Sequence, residues 1–385
     1  MSMSTLFTYL GWAFCAVAVM GAGYTLLAAW LVGRFMRSGA KLAAPSPNVT
    51  ILKPLHQCEP DLARNLETFF TQDYSGAVQI VFGVHDENDP ALKVVQALQA
   101  KYPKADTAVV ADAALYGANA KVSNLINMLP QARHDTLILS DSDITVDSHW
   151  LTQVTAALSR PGVGIVTCLY TGEPARDGHK LWSGLAAMGT SYTFLPNAVL
   201  GASLGLAAPC FGSTIALKRE TLDEVGGFAA FADQLADDYE IGRAVRAKGY
   251  TLAIPAMGVG HTSAENTARD LFRHELRWTR TIRLVNPAGH LGSIVTHGFA
   301  FALLGALALG FHPISLAILA ATLISRLILK SRIDGLFGTY AGPFWLMPVR
   351  DLLSFVLFLA SLRGETVHWR GDRFAVEPSG AMSQV

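Results

Sequence analysis

Thr136-Leu137-Ile138-Leu139-Ser140-Asp141-Ser142-Asp143 decides how this chain is read. Four apolar or β-branched residues make a short buried strand, and two carboxylates stand where that strand opens into a loop. Such a pair offers hard oxygen ligands to a divalent cation. Mg²⁺ in particular takes one or two carboxylates and completes its shell with phosphate oxygens of a substrate. Asp-Ser-Asp is also ordinary turn chemistry, so the surrounding sequence must choose between a metal site and a turn.

Upstream, strand-like and helix-like stretches alternate. Val49–Leu52, Val78–Val84 and Thr107–Val110 are β-rich, while Ala91–Lys101 and Lys121–Leu129 are helix-like. Asp61–Phe70 carries Leu62, Leu66, Phe69 and Phe70 at helical spacing. This alternation predicts an α/β domain with a parallel sheet covered by helices on both faces. Ligands of such sheets bind beyond the carboxyl ends of the strands. That rule selects Lys53-Pro54, His85-Asp86 and Asp141-Ser142-Asp143 as site elements on one edge.

Downstream the pattern is looser. Phe211–Leu217 reads as a strand led by a glycine, and Gly226-Gly227-Phe228 as a tight turn. Ala236-Asp237-Asp238-Tyr239-Glu240 opens a helix, where acids serve either as caps or as chemistry. His274-Glu275-Leu276-Arg277-Trp278 lies on a helical stretch, either a basic surface face or part of a site. His261 is read as an ordinary core or surface histidine, or as a third metal ligand.

With 51% hydrophobic and 16% charged residues among 385, the chain is too apolar for a wholly soluble protein and too polar for a multi-span transporter. Leu6–Val32 carries no charge and is followed by Arg34, Arg37 and Lys41. Roughly 20 apolar residues suffice to cross a bilayer, so residues 6–32 are expected to span it. A cleaved signal peptide fits less well, because the basic leader is missing and the apolar run exceeds the usual roughly 7–15 residues. Leu291–Phe311 and Ile314–Leu329, split by His312-Pro313, predict a transmembrane hairpin over 291–329. Phe344–Leu362 carries Arg350-Asp351 at its centre, and intramembrane charge is costly. That segment is expected to be interfacial or re-entrant. Leu181–Pro209, apolar, uncharged and broken by Pro and Asn, suits a helix at the membrane surface that walls a lipid entrance, or a buried core helix pair.

Basic residues flank these segments on one side: Arg34, Arg37 and Lys41; Arg277, Arg280 and Arg283; Arg326, Lys330 and Arg332; and Arg363, Arg370 and Arg373. The positive-inside rule then makes 45–285 a cytoplasmic domain tethered at both ends, with a cytoplasmic tail over 363–385. Lys+Arg and Asp+Glu both number 30, so nothing points to nucleic acid. The four cysteines have no paired or metal-ligand spacing.

The order Ile51-Leu52-Lys53-Pro54-Leu55, Asn65–Phe70, Asp86-Glu87-Asn88-Asp89-Pro90, Lys121-Val122-Ser123-Asn124-Leu125, Asp141-Ser142-Asp143, Ala236-Asp237-Asp238-Tyr239 and Arg277-Trp278 is specific in combination. It resembles the ceramide glucosyltransferase-like family of family-2-type glycosyltransferases over about residues 48–285, with matching membrane segments on either side. The resemblance implies a GT-A (Rossmann-like) fold, a UDP-sugar donor, a membrane lipid acceptor and Mg²⁺ or Mn²⁺. By family position, Asp86 or Asp89 contacts uridine, with Asp89-Pro90 the better match to the family's motif; Asp141 with Asp143 holds the metal, and Asp238 is the catalytic base. Lys53, Pro54, Lys121, Asn124 and Asp237 join the donor-binding set. Arg277 and Trp278 end the family's Gln/Arg-x-x-Arg-Trp motif, where His274 stands in the first position, a departure that still leaves it able to donate to phosphate.

One base and one face of attack imply inversion. Lys121-Val122-Ser123-Asn124-Leu125-Ile126-Asn127-Met128, Pro209–Thr214 and His274–Trp278 resemble the bacterial branch that transfers N-acetylglucosamine to the hopanoid bacteriohopanetetrol. That implies a multi-pass protein of the bacterial inner membrane. Ceramide glucosylation from UDP-glucose is the second expectation, and a non-catalytic UDP-sugar-binding membrane regulator is an alternative of another class. A processive polysaccharide synthase is disfavoured, since it would need more spans.

Overall fold

The computed structural model describes residues 2–39, 46–364, 366–369, 372–376 and 380–384. Lys41, Arg370 and the expected domain start at residue 45 lie outside the described residues.

After helix α1 (Met3–Arg37), the strands β1 (Val49–Pro54), β2 (Val78–Val84), β3 (Asp106–Ala111) and β4 (Thr136–Leu139) alternate with α2 (Leu62–Phe70), α3 (Ala91–Lys101) and α4 (Ala120–Met128). All four strands are parallel, in the order β3-β2-β1-β4. Period-two alternation divides their side chains between two cores. Val49, Ile51, Ile80, Phe82 and Ile138 meet α2, α3 and α5 (Trp150–Leu158). Leu52, Val81, Leu137 and Leu139 meet α4 and α9 (Asp237–Ala247).

The sheet is mixed, not parallel throughout. It continues as β8 (Ile215–Lys218), β6 (Val163–Thr167) and β9 (Thr251–Ala253), and β8 runs antiparallel to both β4 and β6. The strand expected at 211–217 pairs only from Ile215, because Phe211–Thr214 forms the turn that feeds it. The reversal matters for the site. An antiparallel strand brings its beginning, not its end, to the carboxyl end of β4, so Gly212 arrives beside Asp141.

A second, three-stranded sheet pairs β5 (Ile144–Thr145) and β7 (Leu169–Pro174) with β10 (Gly258–Ser263) between them. Residues 180–203 form α6 (Lys180–Gly189) and α7 (Leu195–Ser203) joined by one π-helical turn, Thr190–Phe194. Most of this stretch is buried between the α/β domain and the apolar helices. Pro196, four residues on, has no N–H to offer the Tyr192 carbonyl, which accepts a 2.8 Å hydrogen bond from Arg326.

Among the described residues, four helices are long and apolar enough to cross a membrane: Met3–Arg37, Pro287–Ala308, Pro313–Phe337 and Phe344–Ser361. The second comprises α11 (Pro287–Gly292), a short 3₁₀ stretch and α12 (Gly298–Ala308); the others are α1, α13 (Pro313–Phe337) and the segment containing α14 (Met347–Ser361). At Gly21 of α1, an added Cβ would lie 2.7 Å from the Gly298 Cα. Small residues thus let α1 and α12 cross at backbone contact, as membrane helices commonly do.

The two charges in the fourth helix are both paired. Arg350 reaches the two carboxylate oxygens of Glu275 on α10 (Ala268–Val285), each at 2.6 Å. Asp351 accepts from Arg326 at 2.8 and 2.9 Å. Both flanks of this helix bond to groups of the α/β domain and its extensions. Before it, the Ala341 amide donates to the Tyr192 hydroxyl at 3.2 Å; after it, the Thr366 carbonyl accepts from Arg280 at 3.0 Å. The closing strands β11 (Thr366–Trp369), β12 (Asp372–Val376) and β13 (Met382–Gln384) form a small antiparallel sheet. Through the Met382 amide it bonds to the Asp233 carbonyl at 2.8 Å.

Candidate active site

The D-x-D loop is built from beneath. Lys53, fully buried at the end of β1, lies 3.8 Å from the centre of the Phe69 ring and donates its Nζ to the Asp141 carbonyl. Burial pulls its ammonium down to about 7, against the opposing pull of Asp141, Asp143 and Glu59. Lys53 therefore holds the loop from below.

Gly212 closes the loop from the β8 side. Its carbonyl accepts from the Asp141 amide at 3.3 Å and its amide donates to Asp238 Oδ2 at 2.8 Å. A Cβ there would stand 2.6 Å from Asp141 Oδ2 and 3.0 Å from Lys121 Nζ, so a larger residue would have to displace those two side chains. The backbone of one residue thus ties the D-x-D loop to the acid at the start of α9.

Four acids and two cations converge here. Lys121 Nζ pairs with Asp141 Oδ1 at 2.8 Å and Asp237 Oδ2 at 3.4 Å. Burial works against its charge, but Asp141, Asp237 and Asp238 overcome that and hold it above the usual lysine range. Asp237 also accepts from Asn119 Nδ2 at 3.3 Å. Asp238 Oδ1 accepts from the Tyr239 amide at 2.8 Å, and burial, followed by the neighbouring Asp237 charge, lifts its carboxyl to about 6.

On the other side, the β5–β10 pairing sets His261 opposite Ile144, next to Asp143. His261 Nε2 lies 3.2 Å from Asp143 Oδ2. Burial alone would lower the imidazole; the Asp143 carboxylate outweighs it and raises His261 to about 9. For Asp143, burial pushes upward, and His261 holds the carboxyl below its ordinary value. His274 Nδ1 meets Glu265 Oε1 at 2.5 Å and packs edge-on against Trp278 with ring centres 4.4 Å apart.

The expected residues separate into two groups. Pro54, Lys121, Asp141, Asp143, Asp237, Asp238, His261, His274, Arg277 and Trp278 line one cavity of about 1630 Å³. Lys53, Asp86, Asp89 and Asn124 do not line it. Asn124 is buried and donates to the Gly83 carbonyl at 2.8 Å, which supports the end of β2. Asp89 is buried, with its two oxygens on the Ala91 and Gln57 amides at 2.9 Å each. Asp86 is exposed and uses one oxygen on the Asn88 amide. Sequence reading missed Gly212 as a hub, Glu265 behind His274, and Glu59, which accepts from the Ser142 hydroxyl. The available signal was the lone glycine ahead of β8.

Asp143 Oδ1 is buried and has no hydrogen-bond partner in the protein. With Asp141 it makes an oxygen-only donor set suited to Mg²⁺ or Mn²⁺. Among the described residues, no three His, Cys, Asp or Glu side chains form a metal cage of their own. A cation held here would draw its remaining ligands from diphosphate oxygens and water.

The sequence profile of glycosyl transferase family 21 matches residues 12–382. The chain belongs to that family. It is similar to ceramide glucosyltransferase 1 of Caenorhabditis elegans, 27% identical over 349 residues that cover 87% of this chain and 72% of the relative. Over a shorter stretch it is 35% identical to the ceramide glucosyltransferase of Candida albicans, across 114 residues covering 27% of this chain and 21% of the other. In fold it is similar to a mannosyltransferase of Pyrobaculum calidifontis solved with GDP-mannose and Mn²⁺, at a TM-score of 0.51 and 20% identity. That match covers 92% of this chain and 99% of the other. The family 21 chain is a glycosyltransferase with a GT-A-like α/β fold, joined to several apolar helices.

Proposed function

We propose that this family 21 enzyme transfers a sugar from a UDP-sugar to a hydroxyl of a membrane lipid at the cytoplasmic surface, with inversion at the anomeric carbon. One observation carries the reading: the cavity that holds Asp141, Asp143 and Asp238 continues without interruption to residues of the apolar helices. Its far end is lined by Asn197 and Ala198 of α7, His290 of α11, Thr296 and His297 before α12, and Leu357 and Phe358 of α14. A soluble acceptor needs no such passage; a lipid does.

Asp238 is fixed by two backbone amides, and its carboxyl, lifted to about 6, matches a base working near neutral pH. It takes the proton of the acceptor hydroxyl as that oxygen bonds to the anomeric carbon and the bond to UDP breaks. An α-linked donor then gives a β-glycoside. Lys121 and Arg277, both on the cavity wall, face the charge that develops on the leaving diphosphate. When bound at Asp141 and Asp143, Mg²⁺ or Mn²⁺ supplies Lewis-acid neutralisation of those same oxygens. Asp86 has an uncommitted oxygen, and it is the better of the two upstream acids for uridine.

Membrane placement follows the positive-inside rule: α1 and the hairpin cross, while 344–362 stays at the interface, since both of its flanks bond to the same cytoplasmic body. Within the proposed class, the motifs favour N-acetylglucosamine transfer to bacteriohopanetetrol at a bacterial inner membrane. The named relatives favour a second pairing, glucose from UDP-glucose to ceramide.

The test is product analysis by mass spectrometry on membranes expressing the chain. Each of UDP-N-acetylglucosamine and UDP-glucose is offered with bacteriohopanetetrol or ceramide, with Mg²⁺ or Mn²⁺ and with EDTA. A metal-dependent N-acetylhexosaminyl hopanoid supports the reading in full. Hexosyl ceramide moves it to the second pairing, and no glycolipid from any pairing overturns it.

A further inference from the structure

Among the described residues, none beyond Phe358 lines the cavity, yet the closing sheet is bonded to the loop that leads into the acids of α9. Gln234 bridges Ala381 in antiparallel fashion. On that side the Asp233 carbonyl accepts from the Met382 amide at 2.8 Å, and the Leu235 amide donates to the Gly380 carbonyl at 3.1 Å. The other side of the loop faces Asn119, the fully buried N-cap of α4. There the Ala232 carbonyl accepts from the Asn119 amide at 2.7 Å, and the Gln234 carbonyl accepts from its Nδ2 at 2.8 Å. Residues 232–235 thus spend their backbone groups alternately on β13 and on the start of α4, as a strand between two neighbours does. The Leu235 side chain completes the contact, buried in one cluster with Phe374 and Met382.

This anchorage matters because α9 starts without a cap of its own. Its N-cap, Ala236, makes no side-chain hydrogen bond, and the first N–H groups of a helix have no partner within it. Asp237 and Asp238 stand in that uncapped turn. Leu235, Ala236, Asp237 and Asp238 all line the cavity, so a displaced loop carries the acids with it. The closing sheet is itself fixed to α10. Arg280, about one turn past Arg277, donates to the Thr366 carbonyl at 3.0 Å, and Arg283 donates to the Gly364 carbonyl at 2.6 Å. One small sheet at the end of the chain therefore holds both the loop before Asp238 and the helix that carries Arg277 and Trp278.

We propose that β13 and Asn119 clamp residues 232–235 from both sides and so set the position of Asp238, which makes Met382 a positioning residue for a reaction it does not touch. This rests on the reading of Asp238 as the base.

The experiment is a double-mutant cycle on the full-length enzyme, read as glycolipid formation in membranes from UDP-N-acetylglucosamine or UDP-glucose with bacteriohopanetetrol or ceramide. Met382→Pro removes the amide that donates to Asp233, an amide that faces the loop and not β12. A misplacement of about 1 Å can cost ~10²-fold in rate, so kcat is expected to fall about tenfold with the donor KM changed by less than about twofold. Met382→Leu keeps both the amide and the apolar bulk and should retain the wild-type rate within about twofold. In an Asp238→Asn background, Met382→Pro should cost less than about twofold, because the group it positions is already gone. An unchanged kcat in Met382→Pro alone overturns the inference, as does the same tenfold loss in both backgrounds, which a general loosening of the fold would give. If Met382→Pro does not fold, Phe374→Ala, which leaves the amide in place and withdraws packing from Leu235, replaces it in the cycle under the same two criteria. Asp238→Asn that keeps the wild-type rate by itself removes the base reading, and no glycolipid from any pairing removes the transfer reading; the inference falls with either.

Discussion

Arg350→Met should loosen the enzyme where α10, which carries Arg277 and Trp278, meets the apolar helices. The side chain is 5% exposed and forms two hydrogen bonds of 2.6 Å with Glu275, itself 12% exposed. A bidentate, charge-assisted pair of this kind is strong, and removing one partner strands the other charge. Breaking a buried pair costs about 3–5 kcal/mol. At ~2.1 cal/mol/K per residue, the 385 residues turn that into a Tm drop of about 4–6 °C. Replacing both partners, as Arg350→Met with Glu275→Leu, leaves no stranded charge and should recover most of the loss. Gly189→Ala attacks the same clasp independently, because its methyl would stand 2.4 Å from Arg350 Nη2. The assay is thermal unfolding of detergent-solubilised protein alongside glycolipid formation. Additive losses in the double variant would refute the argument, since they would mean the two charges do not depend on each other.

Three further outcomes follow from the site. Asp238→Asn should lower kcat by about 10²–10⁴-fold while UDP binding, read by calorimetry, is retained. In wild type kcat/KM should fall below an apparent pKa near 6 as the base takes up its proton; a flat profile would exclude Asp238 as the base. Asp86→Asn should raise the donor KM without changing Tm, whereas Asp89→Ala, which frees the Gln57 and Ala91 amides, should lower Tm. Lys53 titrates near 7 in the folded chain against 10.5 ordinarily. Between those values the unfolded chain binds a proton that the folded one does not, so wild-type stability should gain with pH there. Lys53→Met should remove that component of a denaturation series run from pH 7 to 10.

Much of this architecture is legible in the sequence where local pattern and tertiary demand agree. Val78–Val84 and Thr136–Leu139 are apolar runs that end as strands must, and Ala91–Lys101 forms the helix its spacing predicts. The D-x-D loop stands out because acids at a buried strand end are costly without a purpose. What was not legible depends on partners far along the chain. Lys53 follows an apolar strand and is naturally read as a ligand contact; that Phe69 and the Asp141 carbonyl would enclose it is a tertiary fact. Arg350 and Asp351 read as a cost to membrane insertion because Glu275 lies 75 residues away and Arg326 25. The β5 strand is two residues long, too short for periodicity, yet its pairing with β10 is what delivers His261 to Asp143.

The π-turn between α6 and α7 makes this part of the chain sensitive to length more than to composition. It holds one residue more than an α-helical turn would need across Thr190–Phe194. The extra residue is absorbed within that turn, so α7 keeps the face it would present on a continuous helix one residue shorter. A second added residue, taken up as ordinary α-helix, would turn α7 by about 100° about its axis. Asn197 and Ala198 would then leave the cavity wall. Conservative replacements within these five positions alter one contact at a time, whereas one unabsorbed residue rewrites an entire wall of the cavity. In comparisons among related chains, unabsorbed insertions at this turn should therefore mark changes in what the cavity holds more reliably than substitutions do.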